Sequence, residues 1–300
     1  LALVLWVATP HFLTGANLLN VIEQSAIIGV IAVGMTFVIL TGGIDLSVGS
    51  LVALTGVVFG LAAQAGAPML LAAFLAIVVG ATCGSINGAL VTLGRLPPFI
   101  ATLGMMSVAR GVALMLSDGR PISGFSTGFR ALATGSLWGL PLSAAIMLGT
   151  YLVAHVVLSR TTLGRYTYAI GGNEEAATLS GVNVRGVKGA AYAISGATSA
   201  VTSILLIARL DSAQPIAGMS YELDAIAAVV IGGASLLGGS GSVLGTLIGA
   251  LIMAVLRNGL NLLGISSYVQ QVSIGVVIVV AVLVDMTLRR RMTSSGRGFS

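Results

Sequence analysis

Apolar runs long enough to cross a membrane recur along this chain of 300 residues, and charges rarely interrupt them. A transmembrane helix needs about 20 consecutive apolar residues. Apolar residues make up 56% of the sequence and charged residues only 8%, whereas a soluble domain carries about 25% charged residues. The composition therefore excludes an ordinary soluble protein, and its high apolar content also excludes a disordered one.

The apolar runs predict an all-α membrane protein with about ten transmembrane helices in a single domain over residues 1–300. The first run is short, and we interpret it as the end of a truncated helix rather than as the remnant of a signal peptide. The run 224–237 is short for a full crossing and indicates a broken or tilted helix. The predicted segments are 1–9, 18–41, 46–65, 68–92, 97–117, 142–158, 188–208, 224–237, 243–263 and 268–288.

The basic residues indicate how these segments are oriented, because Lys and Arg concentrate on the cytoplasmic side of membrane proteins. Placing both termini in the cytoplasm assigns nine basic residues to that side: Arg95, Arg160, Arg165, Arg185, Lys188, Arg289, Arg290, Arg291 and Arg297. Only three fall on the outer side: Arg120, Arg130 and Arg209. The net charge of +5 is therefore a topology signal, and we expect no nucleic-acid partner.

Three connections between the segments are long. The cytoplasmic loop 159–187 is the most polar, and the outer loops are 118–141 and 209–223. We expect loop 118–141, which contains Phe125 and Phe129, to lie on the membrane surface.

The cytoplasmic loop contains a short predicted helix with well-defined ends. Asn173 is a favourable N-cap, Glu174 and Glu175 follow in the first turn, and Gly181 suits the position after the helix. The predicted helix is set off from the preceding chain by Gly171 and Gly172 and consists of Asn173, Glu174, Glu175, Ala176, Ala177, Thr178, Leu179 and Ser180. Since it is too short to be stable alone, it either docks on a cytoplasmic partner or packs on loops of its own chain.

Several polar residues lie within or beside the apolar segments. Asp45 follows Gly42 and Gly43, and we favour an N-cap at the cytoplasmic interface over a functional carboxylate at membrane depth. Asn87, Asn258 and Asn261 are candidates either for lining a pathway or for bracing helices.

Gly80, Gly84 and Gly88 form a small-residue seam, which packs either within one subunit or between two. A second glycine pattern recurs: residues 42–50 resemble residues 232–240 at an offset of 190, which leaves open whether the chain contains a repeat.

The sequence offers little support for catalysis. Residues 238–241 match the short serine motif of intramembrane proteases, but both histidines, His11 and His155, precede Ser240 in the chain, opposite to the order in that family. We find no metal-ligand spacing and no phosphate-binding loop that would hold ATP on this chain. A protease would require Ser240, whereas a stand-alone channel or secondary carrier would need no ATPase; both remain alternatives.

Long stretches resemble the permease subunit of bacterial ribose-type ABC importers. The resemblance extends over nearly the whole chain, in the order Gly34–Ser50, Leu163–Gly181, Ser212–Pro215, Tyr221–Ala228, Leu244–Ala250 and Asn258–Gly264. The chain departs from the family at its start, where the family has a cytoplasmic arm and a complete first helix.

This resemblance implies a multi-pass protein of the bacterial inner membrane that moves a monosaccharide, ribose or a similar sugar, by alternating access. It implies that a second permease copy forms the pathway together with this chain, among membrane lipids. A tandem ATPase, which uses ATP and Mg²⁺, would receive the helix at 173–180, and a periplasmic sugar-binding protein would meet the outer loops. The chain itself would bind no cofactor and catalyse no reaction.

Overall fold

The fold is helical, as the apolar runs predict. A computed structural model describes residues 2–295, without the side chains of residues 127, 130, 133 and 284–295. The basic residues Arg130, Arg289, Arg290, Arg291 and Arg297 thus lie outside the described side chains. The helices are α1 (Ala2–Ala8), α2 (Gly15–Leu40), α3 (Val48–Gln64), α4 (Met69–Thr92), α5 (Pro98–Leu116), α6 (Thr127–Thr134), α7 (Leu142–Arg160), α8 (Thr162–Gly172), α9 (Glu174–Leu179), α10 (Val184–Leu210), α11 (Tyr221–Ile231), α12 (Val243–Leu262) and α13 (Ser267–Ser295). The strands are β1 (Ile122–Ser123), β2 (Ser136–Leu137), β3 (Leu140–Pro141) and β4 (Ser212–Ala213).

Each predicted segment overlaps a helix, but the helices differ in length. Within residues 2–295, six helices are long and apolar enough to cross a membrane: α2, α4, α5, α7, α10 and α12. The helix α3 and the apolar part of α13, Ser267–Leu283, are shorter. The segment 224–237 corresponds to the 11-residue helix α11, so the prediction of a short helix there is confirmed.

The centre of the fold is α2, whose second half is buried on all sides. A helix that is apolar all round belongs in the interior of a large protein or a membrane. Four helices pack around α2, namely α7, α10, α11 and α12. The helix α10 also packs along α4 and α3, so α2 and α10 together organise the bundle.

The glycine seam of α4 packs within the chain, against α10. A Cβ added to Gly80 or Gly84 would overlap the backbone carbonyls of Gly196 or Tyr192, and one added to Gly88 would lie 2.7 Å from the Cα of Gly189. Close approach of two backbones needs small residues. Of the two interpretations of this seam, the structure supports packing within the subunit.

The turns at one end of the bundle touch one another. Gly171 of α8 packs directly on the Leu40 carbonyl at the end of α2 and on the Gly239 amide in the turn before α12. The Gly239 amide also donates a hydrogen bond to the Leu40 carbonyl at 3.0 Å. We call this the α9 end of the bundle, because α8 and α9 lie there.

The opposite end, the hairpin end, is held by the pairing of β1 with β4, in which Ile122 lies opposite Ala213. The loop 118–141 belongs to this end, and two of the side chains expected on the membrane surface are buried instead. Phe125 and Phe129 pack against Phe59 of α3, with ring centroids 5.7 and 4.8 Å away. Burial of apolar area in the protein core is favourable, so this part of the loop folds inward, whereas Trp138 is exposed.

The loop 209–223 also enters the bundle. After β4 it runs along α3 until Gly218 packs on the backbone of Gly49. The Arg110 guanidinium of α5 donates hydrogen bonds of 2.8 Å to the carbonyls of Pro215 and Ala217. Non-helical backbone at membrane depth is tolerated only where protein satisfies its polar groups, and Arg110 does so here.

The two similar glycine stretches differ in backbone conformation. Gly42 has φ +77° and Gly232 has φ −70°. Gly49 and Ser50 lie inside α3, whereas Gly239 and Ser240 lie in the turn before α12. Both stretches form turns at the α9 end, but the likeness does not extend to their local geometry.

Candidate functional site

The predicted helix of the loop 159–187 is present as α9, with both ends as expected. The Asn173 side chain accepts a hydrogen bond from the Ala176 amide at 2.9 Å, and Glu174 and Glu175 occupy the first turn. Gly181 follows the helix with φ +80°, a left-handed conformation that glycine adopts at no steric cost. These local predictions are confirmed.

One face of α9 packs on its own chain and the other is exposed. Ala177 is buried with Ile170 of α8 and Val187 of α10. The Glu174 carboxylate pairs with Lys188 of α10 at 2.6 Å. Leu179 is 83% exposed, so the helix has a support within the chain and a free apolar side chain at its tip.

The prediction that Gly171 and Gly172 separate α9 from the preceding chain is wrong. Both are the last residues of α8, and the break occurs at Asn173, which has extended backbone angles of φ −160° and ψ 101°. Gly171 instead permits close backbone contact with Leu40 and Gly239. A side chain there would separate α8 from the turns of two core helices.

A tyrosine strengthens the contact between α8 and the turn before α12. The Tyr168 hydroxyl donates a hydrogen bond to the Gly241 carbonyl at 2.9 Å. A phenol with an ordinary pKa of about 10 is already protonated at neutral pH, and burial raises the pKa of this one further. The helix α8 thus connects α9 to the turn that joins α11 and α12.

A groove with basic walls lies beside α9. It has a volume of about 680 Å³, and its charged lining residues are Arg95, Glu174, Arg185 and Lys188. Three of these four are basic, and two come from the start of α10. The groove therefore presents positive charge next to the exposed tip of α9.

Asp45 and Asn87, which the sequence singled out separately, belong to one buried network. Asp45 is fully buried and accepts hydrogen bonds from the Ser47 amide, the Ser47 hydroxyl and the Ser195 hydroxyl at 3.0, 2.6 and 2.8 Å. The Asn87 amide donates to the Ser47 hydroxyl at 2.9 Å. The Asp45 side chain caps the backbone before α3 as predicted, because it accepts the amide two residues on; Ser47, the residue directly before Val48, makes no side-chain capping hydrogen bond. The network braces α4 and α10 against the turn between α2 and α3.

The turn glycines before Asp45 act as the sequence predicts. Gly42 has φ +77° and follows Thr41, the C-cap residue of α2. A Cβ added to Gly43 would lie 2.7 Å from the Tyr192 hydroxyl. Both residues therefore let the chain turn tightly into the buried Asp45 network.

Asn258 braces two helices rather than lining a cavity. Its amide donates to the Asn17 side-chain oxygen at 2.8 Å, and the Asn17 amide donates back to the Asn258 oxygen at 3.0 Å. Both side chains are buried. This reciprocal pair joins the start of α2 to the end of α12.

Asn261 lies instead on a cavity whose wall contains an ion pair. Arg257, one helical turn before Asn261, pairs with Asp224 of α11 at 2.5 Å. Two adjoining cavities of about 350 and 420 Å³ share Asp224, Arg257 and Asn261 among their lining residues. We call them together the ion-pair cavity; its further polar lining residues are Gln24, Arg209, Ser220, Tyr221, Ser267, Gln270 and Gln271.

Comparisons with known proteins agree with this architecture. A family described as the permease component of the branched-chain amino acid transport system matches residues 17–282. The chain belongs to this permease family. It is a multi-pass membrane protein and a transport subunit, and the resemblance to ribose-type permeases drawn from its motifs is confirmed.

Curated relatives of the permease cover nearly its whole length. The ribose import permease protein RbsC of Bacillus subtilis is 50% identical over 287 residues, 95% of this chain and 89% of the relative. RbsC of Escherichia coli is 49% identical over 281 residues, covering 92% and 88%. The D-allose transport system permease protein AlsC of Escherichia coli is 38% identical, covering 93% and 86%. No solved structure matches the chain.

Sequence reasoning missed the partners of the polar residues that it selected. Asp224 was quoted only as part of a motif, and Ser195 and Asn17 were not considered. A usable signal exists for Asp224, because a carboxylate and the guanidinium of Arg257 both lie in apolar segments. Charges at membrane depth are costly and pair with each other, so the two should have been considered as partners.

Proposed function

We propose that this permease moves a monosaccharide, ribose or a close relative, inward across the bacterial inner membrane by alternating access. The proposal rests on the similarity to RbsC proteins, which are 49–50% identical to this chain over 92–95% of its length. The family description names amino acids, whereas the relatives with about half their residues in common are named for ribose. A sugar is therefore the favoured substrate class.

The proposed assembly contains two copies of the permease, with about ten crossings each and both termini in the cytoplasm. Exposed apolar side chains on α4, α5 and α7 support contact with lipid or with the second copy. Examples are Leu70, Phe74, Phe99, Val108 and Leu152, each more than half exposed. A soluble protein rarely exposes so large an apolar surface to water.

We propose that α9 transmits force from a separate ATPase that binds ATP and Mg²⁺, so that the permease itself needs no cofactor. The exposed Leu179 and the adjacent basic groove support docking at this end. At the hairpin end, a periplasmic sugar-binding protein would meet the described outer segments, such as the exposed Trp138 between β2 and β3. This arrangement places the basic residues Arg95, Arg185 and Lys188 in the cytoplasm, as the positive-inside rule requires.

A stand-alone channel or secondary carrier is the alternative function, and energy dependence separates the two. The permease, its ATPase and its binding protein should be reconstituted in liposomes and supplied with labelled ribose outside. We expect uptake only when ATP is present on the ATPase side. Uptake that persists without ATP would favour the alternative, and function retained in Ser240→Ala would exclude a protease.

The variant Leu179→Asp tests whether α9 is the docking helix. We expect it to reduce co-purification of the ATPase and ATP-dependent uptake at least tenfold, because a charge replaces the free apolar contact. The matched control Leu263→Asp makes the same change at the hairpin end and should retain the ATPase. Normal ATPase binding and uptake by Leu179→Asp would contradict a coupling role.

Charge reversal in the first turn gives a second test. Replacing both Glu174 and Glu175 with Lys should weaken ATPase docking, but Glu174→Lys also breaks the pair with Lys188. Glu175→Lys alone leaves that pair intact and is the cleaner variant. We expect reduced ATPase binding from Glu175→Lys with unchanged thermal stability of the permease.

A further inference from the structure

The ion-pair cavity lies where four helices and the entering loop meet. Its walls come from α2, α10, α11 and α12, and α13 closes one side. The Arg257–Asp224 pair has an unequal environment, since the side chain of Asp224 is 2% exposed and that of Arg257 is 33% exposed. Arg257 thus faces open space on one side while it neutralises a buried carboxylate on the other.

Three buried polar atoms on the wall of this cavity have no hydrogen-bond partner within the described protein. They are Oε1 of Gln24, Oδ1 of Asp224 and Nε of Arg257. A buried polar atom that lacks a partner costs about 1–3 kcal/mol. Unpaired atoms are few in native proteins, so three on one cavity wall indicate that something else bonds to them.

The chemistry of these atoms defines what they would bind. Gln24 Oε1 and Asp224 Oδ1 accept hydrogen bonds, whereas Arg257 Nε donates one. A hydroxyl group both donates and accepts, so neighbouring hydroxyls on one molecule satisfy all three atoms. A fully deprotonated anion has no proton for the two acceptors, and an ammonium group without hydroxyls has no acceptor for Nε.

The neighbouring groups and the size of the space agree with a hydroxylated ligand. Asp224 offsets the charge of Arg257, and the Arg209 guanidinium keeps its charge but already donates to the Asn20 oxygen at 2.8 Å. The Asn261 oxygen accepts from the Gln270 amide at 2.7 Å. A volume of about 350 Å³ corresponds to roughly ten water molecules, which is room for a monosaccharide with part of its hydration.

We propose that the ion-pair cavity is a binding position for a neutral polyhydroxylated solute on its way through the permease, held by Gln24, Asp224 and Arg257. This inference rests on the proposed function and adds to it the position of the sugar within this chain. In this proposal the ion pair has two roles: it connects α11 to α12, and its unpaired atoms, Asp224 Oδ1 and Arg257 Nε, contact the solute.

Two variants change the contacts while they preserve side-chain size. Gln24→Leu removes the single acceptor of Gln24, whereas Asp224→Asn keeps the shape of the residue but replaces the charged acceptor and also weakens the pair with Arg257. The matched control is Gln64→Leu, the same substitution at the exposed end of α3. Each variant is reconstituted with the ATPase and binding protein, and labelled ribose uptake, ATP hydrolysis and co-purification of the ATPase are measured.

We expect Gln24→Leu to lower ribose uptake per ATP hydrolysed roughly three- to tenfold, which corresponds to the loss of one hydrogen bond. Asp224→Asn should lower it at least as much, because it also removes the charge that pairs with Arg257. Assembly with the ATPase should be unchanged in Gln24→Leu, and Gln64→Leu should behave as wild type. If Asp224→Asn fails to assemble, Gln24→Leu still decides the question.

The possible outcomes separate this inference from the proposed function. If wild-type protein takes up no ribose with ATP present, the proposed function fails. If wild type transports ribose and Gln24→Leu retains its uptake per ATP, the cavity holds only water and the inference is overturned. An equal loss in Gln64→Leu would also overturn it, since the effect would not depend on the cavity.

Discussion

The paired amides of Asn17 and Asn258 illustrate how single polar residues act in this permease. Each donates to and accepts from the other across two helices. The Asp45 carboxylate instead only accepts, from the hydroxyls of Ser47 and Ser195. Because these side chains are buried, their hydrogen bonds are satisfied by other groups of the chain.

A double-mutant cycle tests the amide pair. Asn258→Leu leaves the Asn17 oxygen without its donor, and we expect a loss of about 1–3 kcal/mol of folding stability. Adding Asn17→Leu should cost less in this background than in wild type, because the orphaned amide is removed. Thermal unfolding of the four purified proteins in detergent measures the cycle, and strictly additive losses would contradict a direct interaction.

Two helices, α3 and α11, differ from simple membrane-spanning helices, and α11 borders the ion-pair cavity. The helices α3 and α11 are short, each follows a non-helical segment, and Gly49 and Gly218 pack together near their first turns. In transporters, discontinuous helices frequently lie at substrate sites. Asp224 lies in the first turn of α11, where a negative charge is favoured by the helix dipole.

The seam between α4 and α10 permits a prediction with an internal control. Gly84→Ala places a Cβ against the Tyr192 carbonyl, and we expect this to cost about 1–3 kcal/mol. Gly104→Ala lies on α5 where an added Cβ meets nothing within 4 Å. It should be neutral or raise stability by up to about 1 kcal/mol, because alanine favours a helix over glycine.

The thermal unfolding midpoints of Gly84→Ala and Gly104→Ala test whether close packing at the glycine seam stabilises the fold. A lower midpoint for Gly84→Ala with no decrease for Gly104→Ala supports close packing of α4 on α10. Equal thermal midpoints would show that moving α4 away from α10 costs no folding stability.

At the scale of the whole molecule, one end of the bundle contains α8, α9 and the basic groove, and the other contains the paired strands. Gly171 and Tyr168 connect α9 through α8 to the turn between α11 and α12. The same two helices hold the Arg257–Asp224 pair. Packed backbone and one side-chain hydrogen bond thus connect α9 with the helices of the ion-pair cavity.

Cysteine labelling tests the orientation of the molecule. In a Cys83→Ser background, Ser180→Cys beside α9 should react with a membrane-impermeant maleimide only from the cytoplasmic side. Trp138→Cys at the hairpin end, where the native side chain is 97% exposed, should react only from outside. The reverse pattern would contradict the proposed topology.

Local chemistry made part of this structure predictable. Apolar runs predicted the helices, and Asn173, Glu174 and Gly181 predicted both ends of α9, because a cap depends on neighbours within four residues. The loops at 118–141 and 209–223 were predicted less well. Their burial depends on Phe59 and Arg110, which lie more than 50 residues away in the chain.

By itself the sequence determined that the chain is a helical membrane protein, and its long motifs determined the family. Tertiary structure alone decided which polar residues act together: Asp224 with Arg257, Asn17 with Asn258, and Asp45 with Ser195. The physical reason is one of range. A helix and its caps are satisfied within a few residues, whereas a buried charge or amide takes its partner from whichever helix packs against it, and no spacing along the chain encodes that contact.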